Sequence, residues 1–319
     1  MDKNVSIIIT TYKRPELLLR SLTSALNQTY ENIEVIVVDD NDPDSPARKA
    51  TEELIAKNFK NYVNLRYEKM PHNSGACAAR NQGVSVSKGD FIQFLDDDDE
   101  MNPDKIAKQM VIFNSDAENK LSAVGCYGEV VDGAGNHISD IKDDVRGDVF
   151  FWNLCDIVGV TSQLLIRKAT YVESGGFEKM PASQDHWMLI RLFSVVPYYD
   201  YVPEKLVKIY HHTSERISTN SNKPVGSVEL YDKCLPLLDR LTDEQVAKVK
   251  LVRNDNIISA YLHQDCRKEG FYYWKRGIRD RKKLTFHDLR LLLTIAIGEK
   301  SYGSIIAFLS KIKHRIIKK

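Results

Sequence analysis

Short apolar runs alternate with segments of helical spacing over the first hundred residues of the chain. The apolar runs predict four strands, at 5–10, 33–38, 63–67 and 91–95. The segments between them place apolar residues three and four positions apart, which predicts helices at 15–28, 47–59 and 75–87. Strands that are apolar on both faces and alternate with helices are typical of a mainly parallel sheet covered on both sides. The pattern therefore predicts an α/β fold.

The pattern loosens after a further predicted helix at 103–114. Strands are predicted at 124–131, 162–166 and 206–211, and a helix at 185–195 ends before Pro197. A polar loop at 213–224 is followed by four helical segments, at 227–239, 243–264, 267–282 and 286–312. The sequence therefore predicts a sheet-containing domain at 1–220 and a helical C-terminal extension at 221–319.

Charge is unevenly distributed along the chain. Lys and Arg number 45 against 44 Asp and Glu, but residues 267–319 alone carry 15 basic and 4 acidic side chains. The near-neutral total argues against a nucleic-acid partner. The basic end, with apolar stretches too short to span a bilayer, fits a helix that lies on an anionic membrane surface. The alternative is a helical appendage that packs on the core or on a second copy in a homo-oligomer.

The five cysteines lie far apart and form no CxxC pair, which excludes a disulfide framework and a zinc knuckle. The first residues lack the basic region and long apolar core of a signal peptide. No apolar stretch approaches the roughly 18 residues that span a bilayer. We therefore expect a cytoplasmic protein, and the basic end leaves open peripheral attachment to the cytoplasmic face of the membrane.

Polar clusters follow three of the predicted strands, at 10–12, 39–40 and 96–99. In an open α/β sheet, ligands bind at the carboxyl ends of the strands, near a switch in strand order. The sequence contains no GxxxxGK[ST] and no complete GxGxxG motif, so a phosphate site here does not use a glycine-rich loop. The four aspartates at 96–99 repel one another, and a divalent cation that also binds a diphosphate would stabilise them. A solvated acidic loop is the alternative.

Five motifs, in this order along the chain, resemble those of the family 2 glycosyltransferases, which have the GT-A fold. They are VSIIITTY at 5–12, NQTY at 27–30, IVVDDN at 36–41, NSGA and ARNQG at 73–76 and 79–83, and FLDDDD at 94–99 with Pro103. The resemblance covers about residues 3–215. It implies a Rossmann-like mixed sheet, mainly parallel and covered by helices.

The resemblance also implies an activity, which is inverting transfer of a sugar from a nucleoside-diphosphate donor, expected to be a UDP-sugar. The expected acceptor is a hydroxyl of a growing cell-surface glycan, with a lipid-linked glycan as one option. Asp98, with His212, is expected to bind Mn²⁺ or Mg²⁺, and Asp99 to support the site. The nucleotide-sugar pocket is expected to comprise Thr10, Thr11, Tyr12, Arg14, Asp39, Asp40, Arg80, Asp96 and Asp97.

The expected catalytic base is Asp185. The family usually carries Glu-Asp here, and this chain has Gln184-Asp185, which keeps the second carboxylate. One carboxylate is enough to take the proton of the acceptor hydroxyl. Capping of the following helix is the alternative role for Asp185. Trp152 and Trp187 could stack on a sugar, but burial in the core is the expectation for both.

Two other functions stay open from the sequence. A sugar nucleotidyltransferase would share the α/β plan and the carboxylate chemistry. It would, however, carry a glycine-rich basic loop near the N-terminus, where this chain has TTYKR at 10–14. The second is a catalytically inactive glycan-binding or scaffold subunit, and Gln184 is the only sequence feature that favours it.

Overall fold

The computed structural model describes residues 3–142, 144–211, 221–281 and 285–298. The chain divides into two compact units. The first comprises Met1–Lys179 with Gln184–Ser214, and the second comprises Met180–Ser183 with Glu215–Lys319. His212, one of the expected metal ligands, lies outside the described residues.

The first unit is built on a ten-stranded mixed sheet. Its strands are β1 (Val5–Thr11), β2 (Ile33–Asp39), β3 (Leu65–Lys69), β4 (Phe91–Asp96), β5 (Glu100–Met101), β6 (Leu121–Asp132), β7 (His137–Ile141), β8 (Gly147–Asp148), β9 (Leu165–Arg167) and β10 (Tyr198–His211). Its helices are α1 (Pro15–Leu26), α2 (Pro46–Asn58), α3 (Ala76–Val86), α4 (Lys105–Ser115), α5 (Phe150–Cys155), α6 (Lys168–Glu173) and α7 (Gln184–Val195). The predicted α/β class, with a mostly parallel sheet flanked by helices, is confirmed.

The strands run in the order β3-β2-β1-β4-β9-β6-β10-β5, with β7 beside β6 and β8 beside β10. Strand β1 pairs in parallel with β2 on one side and with β4 on the other. The strand order therefore reverses between β1 and β4, which form the switch point of the sheet. Open α/β sheets bind ligands at the carboxyl edge beside such a switch point. At that edge Thr10 lies opposite Asp96, and Thr11 lies opposite Asp39.

The apolar runs form strands because both of their faces are covered. In β1, Val5, Ile7 and Ile9 are fully buried and belong to one core cluster with Leu18 and Leu22 of α1. Helix α1 begins with Pro15, whose fixed φ suits the first helical position. This packing holds the carboxyl end of β1 against the start of α1.

The loosely patterned region contains more structure than the sequence predicts. The segment at 162–166 forms a short 3₁₀ turn, Thr161–Gln163, followed by β9. The last strand of the sheet begins at Tyr198 rather than at residue 206, because Pro203 and its polar neighbours form a β-bulge against β6 instead of ending the strand. The short elements β5, β7, β8, α5 and α6 were not predicted.

The second unit is helical within its described residues. Its α-helices are α8 (Lys223–Cys234), α9 (Asp243–His263), α10 (Arg267–Arg281) and α11 (Phe286–Ile297). Ile295 of α11 packs with Ile258 and Leu262 of α9. Helix α11 ends at Gly298, which has a φ of +84°, and the remainder of the predicted 286–312 helix lies outside the described residues. None of the described helices is long and apolar enough to cross a membrane.

Candidate active site

The four aspartates form a tight turn at the end of β4. Asp96 is the last residue of the strand, and the N–H of Asp99 donates to the Asp96 carbonyl at 3.1 Å. Strand β5 then pairs with β10, so both ends of the turn are fixed in the sheet. Asp97 and Asp99 are buried, whereas Asp96 and Asp98 are partly exposed. The turn therefore separates the run into two exposed and two buried carboxylates.

Carboxylate oxygens of Asp96, Asp98 and Asp99 lie within 4.8 Å of one another. Asp99 accepts a hydrogen bond from the Ser162 hydroxyl at 2.6 Å. Burial and the charges of Asp96 and Asp98 raise the pKa of Asp99 well above its usual range. A hard divalent cation takes carboxylate oxygens and would offset this repulsion, so the donor set fits such an ion. The cluster of carboxylates that could hold an ion thus contains Asp96, Asp98 and Asp99, but not Asp97.

Two arginines of the α1 region brace the aspartate turn. The Arg14 guanidinium donates to Asp97 Oδ1 at 2.5 Å and to Asp98 Oδ2 at 3.0 Å. Arg20 donates to the Asp98 carbonyl at 2.6 Å. The preceding Lys13 has a φ of +60°, and its N–H donates to Asn41 Oδ1 at 2.9 Å. Non-glycine residues with left-handed backbone are concentrated at active sites and ligand-binding segments.

Arg80 of α3 lies against the aspartate turn. Its side chain is 12% exposed, and its guanidinium donates to Asp96 Oδ1 at 2.7 Å. Burial lowers the pKa of Arg80, but the negative charges of Asp96 and Asp185 outweigh that effect and raise it. The guanidinium therefore pairs with the carboxylate at the end of β4, and the charge of Asp185 also favours its protonated form.

Asp39 lies at the centre of a buried network. Its Oδ1 accepts from the backbone N–H of Asn41 at 2.8 Å and from the Asn41 amide at 2.7 Å. Its Oδ2 accepts from the Tyr67 hydroxyl at 2.5 Å and pairs with Arg48 at 3.2 Å. A hydrogen bond from a nucleotide base to Asp39 stays a prediction, and it requires one of these internal donors to give way.

Asp40 fixes the loop that enters α3. Its carboxylate accepts from the backbone N–H groups of Ser74 at 2.8 Å and Gly75 at 2.9 Å. The side-chain amide of Asn73 donates to it at 3.1 Å. Gly75 has a φ of +87°, which a side chain would disfavour. In the structure Asp40 thus positions the helix that carries Arg80.

The remaining residues expected to bind the nucleotide lie at the end of β1. Thr10 is partly exposed, Thr11 is buried, and the Tyr12 ring is 38% exposed. The Lys13 ammonium lies 4.9 Å from the centroid of that ring. Tyr12 therefore presents an exposed aromatic face at the switch point of the sheet.

Asp185 lies in the first turn of α7, after Ser183 with its φ of +62°. It accepts from the N–H of His186 at 3.0 Å. Trp187, next to His186, is buried as expected, and its indole N–H donates to Glu178 at 2.7 Å. The expectation of burial is wrong for Trp152, which is 55% exposed because α5 turns other residues toward the core.

The sequence did not single out Arg20, Arg48 or Ser162 as contributors to this region. Ser162 contacts a residue 63 positions away, and Arg20 a residue 78 positions away. No local pattern marks such contacts.

The family model described as glycosyl transferase family 2 matches residues 6–164. An uncharacterized glycosyltransferase of Rickettsia prowazekii is 30% identical over 253 residues, which cover 77% of this chain and 75% of that protein. A relative in Rickettsia conorii is 28% identical over 252 residues, and the match spans 40% of its length. A relative in Escherichia coli, 27% identical over 259 residues, covers 78% of this chain and 88% of the relative, and its name assigns it to colanic acid biosynthesis.

Two solved structures share the fold. Staphylococcus aureus TarS 1–349 in complex with UDP-GlcNAc has a TM-score of 0.58 at 14% identity, covering 88% of this chain and 92% of that one. The mannosyltransferase PcManGT of Pyrobaculum calidifontis, with GDP-Man and Mn²⁺, has a TM-score of 0.57 at 15% identity and covers 93% and 80%. The relative from Rickettsia prowazekii and the matched family model show that the chain belongs to glycosyltransferase family 2.

Proposed function

We propose that this glycosyltransferase moves a sugar from a UDP-sugar to a hydroxyl of a growing cell-surface glycan, with inversion at the anomeric carbon. The observation that carries the proposal is the position of Arg80, which donates to Asp96 at 2.7 Å at the carboxyl end of β4. A guanidinium in this position can stabilise a leaving diphosphate while a carboxylate acts on the acceptor.

Asp96, Asp98 and Asp99 are the residues that would hold a divalent cation, Mn²⁺ or Mg²⁺. Such an ion supplies positive charge to the donor diphosphate. The bound UDP-GlcNAc of TarS and the GDP-Man and Mn²⁺ of PcManGT support this assignment by similarity of fold. Tyr12 offers a face for the nucleotide base.

Asp185 takes the proton of the acceptor hydroxyl as that oxygen bonds to the anomeric carbon. The bond between that carbon and the diphosphate oxygen breaks, and its electron pair leaves with UDP. Arg80 and Arg14 offer paired N–H donors to phosphate oxygens, once they exchange their present carboxylate partners. Thr10, Thr11, Asp39, Asp40 and Asp97 shape the pocket around the donor.

The acceptor side of the proposal rests on the relative named for colanic acid biosynthesis and on the charge of the chain. Residues 299–319 carry six basic side chains and one acidic side chain. We propose that these basic side chains attract the protein to the anionic cytoplasmic face of a membrane. A lipid-linked glycan in that membrane would then be the acceptor. Association of two copies through the C-terminal region is the competing role.

The test is release of UDP and of transferred sugar by the purified chain, with Mn²⁺, from a panel of UDP-glucose, UDP-galactose, UDP-GlcNAc and GDP-mannose. Asp185→Asn keeps the shape of the side chain but takes up no proton at neutral pH. It should reduce transfer by roughly two to four orders of magnitude, the usual contribution of acid–base catalysis, with donor affinity unchanged.

The matched control is Asp239→Asn, which changes an exposed aspartate in the helical unit and should leave transfer at the wild-type rate. Near-normal turnover by Asp185→Asn would place the base elsewhere. A preference for GDP-mannose would overturn the choice of donor and leave the assignment of the base intact.

A further inference from the structure

The short helix α5 leaves one large aromatic side chain in solvent. Phe150, Asn153, Leu154 and Cys155 are buried, whereas Trp152 is 55% exposed. The Trp152 ring lies 5.4 Å from that of Phe151, which supports it from one side. Because α5 buries four of its six residues, the exposure of Trp152 follows from the orientation of the helix.

Helix α5 is anchored to the helix that begins beside the proposed base. The Asn153 carbonyl lies 2.7 Å from Nε2 of the buried His186. The side-chain oxygen of Asn153 accepts from the N–H of Val158 at 2.9 Å, which fixes the end of α5. The two residues joined by the first contact directly follow Trp152 and Asp185 in the chain.

This anchoring bounds the separation of the Trp152 and Asp185 backbones. Consecutive Cα atoms are about 3.8 Å apart, and the contact joins a carbonyl oxygen to the tip of a histidine ring, so the Cα atoms of Trp152 and Asp185 lie within roughly 17 Å of each other. A chain of two or three sugar rings covers that distance. The contact between α5 and α7 also keeps the separation fixed, as a site for an extended ligand requires.

We propose that Trp152 is a specificity-determining residue that binds a pyranose ring of the acceptor glycan, one or two sugars away from the hydroxyl that reacts at Asp185. The proposal rests on the transfer to a glycan proposed above. A pyranose presents C–H groups on one face, and an exposed indole offers an apolar surface of matching size with an N–H at its edge. A ring bound there would orient the rest of the acceptor toward the base.

The direct test needs no donor turnover. Saturation-transfer NMR would use the methyl glycosides of glucose, galactose, mannose and N-acetylglucosamine, and their β-linked disaccharides, with wild type, Trp152→Phe and Trp152→Ala. We expect a saturation signal on the ring C–H protons of at least one sugar with wild type. The signal should be weakened by Trp152→Phe, which keeps an aromatic face, and lost with Trp152→Ala.

Tyr62→Ala is the matched control, since it removes another exposed aromatic side chain of the same unit, 41% exposed, at a position outside α5. It should leave the saturation signal unchanged. Trp152→Ala should melt at the wild-type temperature, because an exposed side chain contributes little to stability. A melting temperature that falls only for Trp152→Ala would indicate a packing role and would overturn the proposal.

Kinetics provide the second readout once a donor is known. Trp152→Ala should raise the KM for the acceptor about tenfold, the equivalent of one aromatic contact, with the KM for the donor unchanged. Wild-type acceptor KM in Trp152→Ala, or no saturation signal from any sugar with wild type, would overturn the proposal. Loss of binding to anionic liposomes by Trp152→Ala, with sugar signals retained, would instead assign Trp152 to a lipid surface. Failure of donor hydrolysis would count against the proposed function and leave the NMR result interpretable.

Discussion

Arg48→Met tests whether the stability of the first unit depends on the buried ion pair between Arg48 and Asp39, at the end of β2. Asp39 is fully buried, and Arg48 is 4% exposed. Besides pairing with Asp39, the guanidinium donates to the backbone carbonyls of Asp39 at 3.2 Å and Met70 at 2.9 Å. Methionine keeps much of the length of the side chain but leaves the buried carboxylate without its cationic partner and these carbonyls without the guanidinium donor.

Removal of one partner of a buried ion pair costs about 3–5 kcal/mol. The lower end applies here, about 3 kcal/mol, because Asn41 and Tyr67 still donate to Asp39. For a unit of this size each kcal/mol lowers the melting temperature by about 2–4 °C, so we expect a decrease of roughly 6–12 °C. Differential scanning calorimetry measures it directly. Arg66→Met is the control, because that arginine is largely exposed and pairs with the partly exposed Glu68.

A double-mutant cycle with Asp39→Asn separates the ion pair from packing. Asparagine removes the charge that Arg48→Met leaves uncompensated, so the double variant should be more stable than the sum of the single effects by about 1 kcal/mol or more. Additive effects, or a decrease for Arg48→Met no larger than for Arg66→Met, would refute the reasoning.

Two further predictions concern the core and the basic end. Burial lowers the pKa of Lys105 from 10.5 to about 8, so the unfolded chain binds the extra proton between these values. Relative to Lys105→Met, wild type should therefore gain unfolding free energy as the pH rises from about 8 to 10.5, and parallel profiles in urea denaturation would contradict this. Deletion of residues 299–319, which keeps the packed α11, should reduce pelleting with anionic liposomes at low salt more than at high salt. Equal pelleting of both proteins would favour a packing or dimerisation role.

The sheet at the switch point could be predicted from sequence because its information is local. Each of β1, β2 and β4 is a continuous apolar run followed at once by polar residues. The first half of β10, before residue 206, could not be predicted, because Pro203 interrupts the strand pattern and only pairing with β6 continues the strand through it. Sequence periodicity predicts elements one at a time, so it misses a strand segment that forms only because it pairs with a neighbouring strand.

The residue types of the site were also predictable, but their partners were not. Asp96–Asp99 could be recognised as a candidate metal site, but which carboxylates converge depends on the turn and on Ser162. The exposure of Trp152 depends on how α5 packs, which six residues of sequence do not encode. A pocket role for Asp39 and Asp40 stays a prediction, and the structure shows that they bind Arg48 and the loop that enters α3.

The central claim is that the carboxylates of the β4 turn bind a divalent cation that in turn binds the donor diphosphate. Isothermal titration of UDP, in Mn²⁺ and in EDTA, tests it on wild type, Asp98→Asn and the exposed-site control Asp239→Asn. Wild type and the control should bind UDP more tightly in Mn²⁺ than in EDTA. Asp98→Asn should stay folded and bind UDP equally in both. An Asp98→Asn variant that keeps the full Mn²⁺ dependence of wild type would contradict the claim.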